Sequence, residues 1–255
     1  MDNRSLGSTK LSCSRLGWGA LKIGRNQGVK FPDDFELPSE EAAIDIVHGM
    51  LDLGINFIDT APSYGLSEER LGKALEGKRD GVILSTKVGE HFSDGESHYD
   101  VTSTAAVKSL QESLRRLKTD HVDVLWIHSD GNDQAILDDD AYIETLESFK
   151  DAGMTRAIGF SGKSIEGNRS ALSWADAIMV EYHLEDQSQE AVITEAAQRD
   201  IGVVIKKALR SGHLPGDEAL RFLFDDSPVA DAITSVVIGS LSPARMQSNA
   251  KGLSA

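Results

Sequence analysis

Short apolar runs alternate along this chain with longer stretches in which apolar residues recur every three or four positions, and the alternation repeats eight times. The short runs are rich in Val and Ile and bounded by Gly or Asp. They predict strands at 16–21, 55–59, 81–87, 122–128, 154–160, 177–182, 202–207 and 234–238. Helical spacing predicts helices near 39–53, 66–76, 102–118, 139–152, 164–173, 187–199, 213–224 and 242–251. Several open on Ser, Thr or Asp, whose side chains can cap the free amides of a first turn. Eight strand–helix units in succession predict an α/β fold, the (β/α)8 barrel, whose functional site lies at the C-terminal ends of its strands.

Three strand ends carry chemistry. Asp59-Thr60-Ala61-Pro62-Ser63-Tyr64-Gly65 follows the second strand and places a carboxylate and a phenol in one Pro/Gly turn. Leu84-Ser85-Thr86-Lys87 and Trp126-Ile127-His128 end the third and fourth strands on a titratable residue. Singly, each has a plain structural reading: an Asp cap with a packed tyrosine, a buried ion pair, a satisfied core histidine. Four such residues on three adjacent strand ends are harder to explain as packing, and they compose an acid/base site.

Composition narrows the function. The chain has 255 residues, 40% hydrophobic and 26% charged, enough for one barrel core, so a single domain over 1–255 is expected. Lys plus Arg number 26 and Asp plus Glu 41, a net charge of −15, which speaks against nucleic-acid or anionic-membrane partners. No apolar run approaches the ~18 residues of a membrane span. A lone Cys13 and an opening without an apolar signal segment point to a reducing, cytoplasmic setting. Oligomeric state is not legible.

Asp59, Tyr64, Lys87 and His128, in this order on these strand ends, resemble the catalytic tetrad of the aldo-keto reductase superfamily. The resemblance extends from Arg15-Leu16-Gly17-Trp18-Gly19, through Gly54-Ile55-Asn56-Phe57-Ile58-Asp59-Thr60-Ala61 and Ile158-Gly159-Phe160-Ser161, to Val237-Ile238-Gly239-Ser240. It implies a hairpin at the barrel floor formed by 6–11. It also implies hydride transfer between NADP(H) and a small aldehyde, ketone or sugar, with Tyr64 the proton donor, Lys87 lowering the phenol's pKa, Asp59 holding Lys87, and His128 orienting the substrate oxygen.

The same resemblance implies cofactor contacts at Gly19, Ala20, Ser161, Lys207, Leu209, Ser211, Gly239, Ser240, Ser242, Arg245 and Asn249. Ser242-Pro243 reads as an N-cap followed by Pro at the first helical position. Arg245 in that first turn would hold the adenosine 2′-phosphate, together with Ser240 and Asn249, so NADPH is expected over NADH. Departures stand beside these matches. The asparagine usual after Ser161 is Gly162, the usual glutamine of the sixth strand is Met179, and a lysine in Lys206-Lys207-Ala208-Leu209-Arg210-Ser211-Gly212 replaces the aromatic that often stacks under the ring. A shorter loop after the seventh strand and a shorter tail would leave the substrate mouth more open than usual.

Loops at 24–38 and 89–100 would line that mouth, with Phe31, Phe35, His91 and Phe92 as substrate contacts. No metal is expected, because His91 to His98 have no ligand spacing, and Asp138-Asp139-Asp140 reads as the charged start of a helix. Two other readings remain open. One is a nucleotide-binding barrel with a regulatory or accessory role and little turnover; the other is a lyase or isomerase that uses the lysine as a Schiff base.

Overall fold

The computed structural model of the chain describes residues 2–251; Met1 and 252–255 of the expected 1–255 domain lie outside them. An antiparallel hairpin, β1 (Asn3–Ser5) and β2 (Ser12–Ser14), precedes the barrel. The barrel strands are β3 (Leu16–Gly19), β4 (Phe57–Asp59), β5 (Ile83–Val88), β8 (Val122–His128), β9 (Thr155–Ser161), β10 (Ala177–Glu181), β11 (Gly202–Lys206) and β12 (Ser235–Ile238). Between β5 and β8 lies a second hairpin, β6 (Glu90–Ser93) and β7 (Glu96–Tyr99). All eight barrel strands pair in parallel and close in chain order, β12 against β3. This is the (β/α)8 barrel that the eight-fold alternation predicts.

The helices are α1 (Glu40–Asp52), α2 (Ser67–Ala74), α3 (Ser103–Leu117), α4 (Asp133–Leu137), α5 (Asp140–Asp151), α6 (Ile165–Ala171), α7 (Glu190–Gln198), α8 (Gly216–Arg221) and α9 (Pro243–Lys251). Caps set several boundaries. Ser39, Thr102, Asp139 and Ser164 each accept a backbone N–H from the first turn of α1, α3, α5 and α6. Asp139 thus does what the acidic run suggests.

Two packed layers hold the fold. Outside the strands, residues such as Ile58, Leu84, Leu125 and Ile158 meet the apolar faces of the helices. Inside, Phe57, Val124, Trp126, Ala157, Met179 and Val204 fill the barrel, and Leu6, Leu11 and Cys13 of the first hairpin close its floor. Trp126 has room only because residue 159 is glycine: a Cβ there would lie 2.4 Å from the indole ring.

Three local differences from the sequence expectation have physical causes. Residues 89–100 form the β6–β7 hairpin rather than a loop. Asp94 and Gly95 turn it with φ of 54° and 84°, the left-handed pair of a tight hairpin, and the Asp-Gly dipeptide was its sequence signal. α4 is too short to show a period. The helix expected at 213–224 starts only after Pro215, at Gly216, and ends in a π turn, Phe222–Asp226.

Candidate active site

Because the strands are parallel, every residue that ends one of them faces the same rim of the barrel. In pairing order, Gly19 lies beside Asp59, Asp59 beside Ser85, Lys87 beside Trp126, His128 beside Ser161, and Glu181 beside Lys206. These ends open into a cleft of about 670 Å3 lined by Asp59, Tyr64, Lys87, His128, Ser161 and Lys206 among others. That volume suits a small-molecule or cofactor site.

Lys87 is the hub. Its Nζ lies 2.5 Å from Asp59 Oδ2 and donates to the Thr60 carbonyl at 2.9 Å, while Ser85 Oγ donates to Asp59 Oδ1 at 2.8 Å. The two charged side chains are only 2% and 5% exposed. Burial opposes the ammonium, but the charges of Asp59 and Tyr64 outweigh it and hold the Lys87 pKa above its usual range.

Tyr64 closes a turn of 3-10 helix, Pro62–Tyr64, against which Lys87 Nζ sits 5.0 Å from the ring centroid. The turn is pinned by Gly65 at φ +60°, where a Cβ would strike the Gly24 carbonyl at 2.4 Å. Burial drives the phenol's pKa up and Lys87 pulls it down, with the net direction upward. The expected lowering by Lys87 is therefore present as a force and outweighed by desolvation.

His128 has a partner that the sequence reading missed. Glu90, the first residue of β6, places Oε2 2.6 Å from His128 Nδ1 and accepts a hydrogen bond from Ser63 Oγ at 3.2 Å. Although burial opposes its charge, the histidine and the hydroxyls of Ser97 and Ser63 hold Glu90 down at about 2. Burial lowers the His128 pKa, Glu90 works against that, and Lys87 and Lys206 add to it. A two-sided polar strand inside a supposed loop gave no sign that Glu90 points inward.

The remaining candidates fall into distinct places. Ser242 caps α9 by accepting from the Arg245 N–H at 3.2 Å, and its own N–H donates to Ser240 Oγ at 3.1 Å. Gly19, Gly239, Leu209, Ser211 and Arg245 line the cleft. Ala20 is buried behind it, its carbonyl bonded by Ser67 Oγ, and Asn249 lies farther along α9 beside Gly216. Lys207 is ion-paired with Glu181 and Arg210 with Glu185, so two of the three cations of that loop already have carboxylates. The loop is tightly coiled, with Lys207, Arg210 and Ser211 all at positive φ.

Phe31 lines the cleft on the Arg245 side, near Gly239, and Phe35 meets it edge-on at 5.7 Å. Lys22 lies 3.9 Å above the Phe31 ring and close enough to Arg245 for the two charges to repel, a second cation that the sequence reading did not single out. Phe92 stacks under Arg25 at 3.6 Å, and His91 stacks on His98 at the exposed hairpin surface, neither lining the cleft. Among the described residues no group of three or more His, Cys, Asp or Glu is placed to hold a metal, and no helix is long and apolar enough to cross a membrane.

Comparison with known proteins gives one family. A sequence model described as "Aldo/keto reductase family" matches residues 15–228. The chain is 31% identical to aldo-keto reductase YhdN of Bacillus subtilis over 88% of its own length and 67% of that protein's. It is 32% identical to the L-galactose dehydrogenase of Arabidopsis thaliana over 83% and 66%, and 28% identical to an NADH-specific methylglyoxal reductase of Escherichia coli over 83% and 68%. Among solved structures, an aldo-keto reductase from Pseudomonas aeruginosa superposes with a TM-score of 0.89 at 37% identity, covering 98% of this chain and 93% of that one.

Proposed function

Because the chain belongs to the aldo/keto reductase family of oxidoreductases, we propose that it transfers a hydride between NADP(H) and the carbonyl or alcohol carbon of a small aldehyde, ketone or sugar. The observation that carries this reading is the Asp59–Lys87 ion pair under Tyr64, buried at the cleft floor. When bound, the reduced nicotinamide supplies the hydride; the protein's part is the proton. Tyr64 donates it to the carbonyl oxygen, and the Lys87 charge stabilises the phenolate left behind. Asp59 keeps Lys87 ionised and aimed.

His128 has two states with different uses. With Nδ1 facing Glu90, Nε2 accepts a hydrogen bond from an alcohol hydroxyl when the ring is neutral, and donates one to a carbonyl oxygen when the ring is charged. Glu90→Gln removes the charge that raises the His128 pKa. The fall-off of carbonyl reduction with rising pH is then expected to begin at lower pH, with the fold intact. A kcat/KM profile beside an NMR titration of the ring checks this. An unmoved ring pKa would remove Glu90 from the role.

The fit to a dinucleotide rests on the capped start of α9, with Arg245 in its first turn and Lys22 beside it. Arg245→Ala is expected to weaken NADPH binding about ten- to a hundredfold, the ~1.5–3 kcal/mol of one charge-assisted hydrogen bond. NADH should bind nearly as before. Parallel fluorescence titrations with both nucleotides decide it: equal losses would assign Arg245 to the shared diphosphate and leave cofactor preference open, as the family's NADH-specific member in Escherichia coli allows.

Substrate class is supported by two relatives named for sugar oxidation, an L-galactose dehydrogenase and a D-threo-aldose 1-dehydrogenase. The test is the absorbance of reduced nicotinamide against a panel of aldehydes, ketones and aldoses in both directions. The Schiff-base alternative is disfavoured by Lys87 itself, since a nucleophilic lysine needs a lowered pKa and Asp59 raises this one.

A further inference from the structure

Lys206 ends β11 on the wall of the cleft, opposite Lys87 and His128. Its Nζ donates to Ser161 Oγ at 2.9 Å and to the Gly162 carbonyl at 2.8 Å. Both acceptors are neutral. The carboxylate beside it in the sheet register, Glu181, is engaged instead by Lys207. Of its neighbours in the cleft lining, Gly162 and Met179 add no polar side chain, while Glu181 and Gln189 do. An ammonium thus stands at the Ser161 end of the cleft, near enough to depress His128.

We propose that Lys206 makes this cleft discriminate between the oxidation states of the nicotinamide, the charged lysine disfavouring the cationic oxidised ring relative to the neutral reduced one. This rests on the reading of the cleft as the NADP(H) site. The physical argument is the repulsion of two like charges in a poorly solvated cavity, which at a separation of several ångströms shifts the relative affinity by about tenfold. No bond is made or broken; Lys206 changes only which form of the cofactor is held.

The charge on Lys206 is itself adjustable near neutrality. Burial, then the charges of Lys207 and Lys87, pull its pKa down to about 7, against the upward pull of Glu181 and Asp133. A lysine is charged below its pKa and neutral above it. Discrimination is therefore expected below pH 7 and to fade as the pH rises. His128 faces the same space and can change charge as well, its pKa held down by burial, so the comparison must be made between variants at one pH.

The experiment titrates the whole chain with NADPH, with NADP+ and with 2′-phospho-ADP-ribose, which lacks the nicotinamide, following tryptophan fluorescence. At about pH 6 the ratio of the NADP+ to the NADPH dissociation constant is expected to be about tenfold larger in wild type than in Lys206→Met, the gap closing by about pH 8.5. Lys206→Arg, which cannot deprotonate, is expected to keep the gap at both. The ringless fragment should bind wild type and Lys206→Met alike. If both nucleotides bind and the ratio is the same in all variants, the inference is wrong and the cofactor reading stands. If Lys206→Met weakens the fragment as much as the dinucleotides, Lys206 is a phosphate contact and the inference is likewise wrong. If wild type binds neither nucleotide, both fall.

Discussion

Tyr64→Phe is expected to lower carbonyl reduction by about a thousandfold while leaving the fold and nucleotide binding as they are. The change removes one hydroxyl, the group assigned to deliver the proton, and positioned acid catalysis is worth roughly a hundred- to ten-thousandfold. Tyr64 contributes its ring to the cleft wall, and Phe keeps that ring over Lys87. Loss should therefore appear in kcat and kcat/KM together, the mark of an interaction made only in the transition state. Turnover of an activated aldehyde, read beside a fluorescence titration with NADPH, separates the cases. Wild-type turnover would mean that water or His128 supplies the proton. Equal loss of turnover and of nucleotide affinity would mean that the turn, not the acid, had been disturbed.

The burial that raises the Tyr64 pKa sharpens the dependence on Lys87. In water a cation near a phenol changes little; in a cavity from which water is excluded, the same cation decides whether a phenolate can form at all. Desolvation and the ammonium are thus two halves of one device. In the proposed function, the cavity keeps the phenol protonated until the transfer, and the Lys87 charge stabilises the phenolate that the transfer leaves.

Much of this was legible in the sequence because strand periodicity and strand ends are local properties. The eight apolar runs mark the barrel strands, and the parallel barrel then forces Asp59, Lys87 and His128 to one rim. Glu90 and Lys22 were not legible, for a different reason. Each acquires its role from a contact across the fold, Glu90 with His128 and Lys22 with Phe31 and Arg245, and no spacing along the chain encodes such a meeting. Phe31, Phe35, His91 and Phe92 illustrate the same limit, since loop composition shows that aromatic residues are present but not which way they face. Here only Phe31 lines the cleft, on the Arg245 side.

Lys87→Met is expected to cost both stability and activity, and the two losses can be separated. Asp59 is 5% exposed, and removing its partner leaves a carboxylate without its counter-charge, bonded only by Ser85 Oγ among the side chains named above. Breaking a buried pair from one side typically costs about 3–5 kcal/mol, which for a chain of this size lowers the unfolding midpoint by roughly 10 °C. Adding Asp59→Asn removes the stranded charge while retaining a group that Ser85 can bond, so the double variant should regain most of the stability. Activity should not return with it, because the phenolate has lost its cation in both. Thermal unfolding and turnover of wild type, both single variants and the double variant form one cycle. If stability and activity recover together in the double variant, the pair is an architectural support and Tyr64 draws its acidity from elsewhere. If stability recovers alone, Lys87 acts on the chemistry directly, and Asp59 is the residue that keeps a charged, buried lysine tolerable at the floor of the cleft.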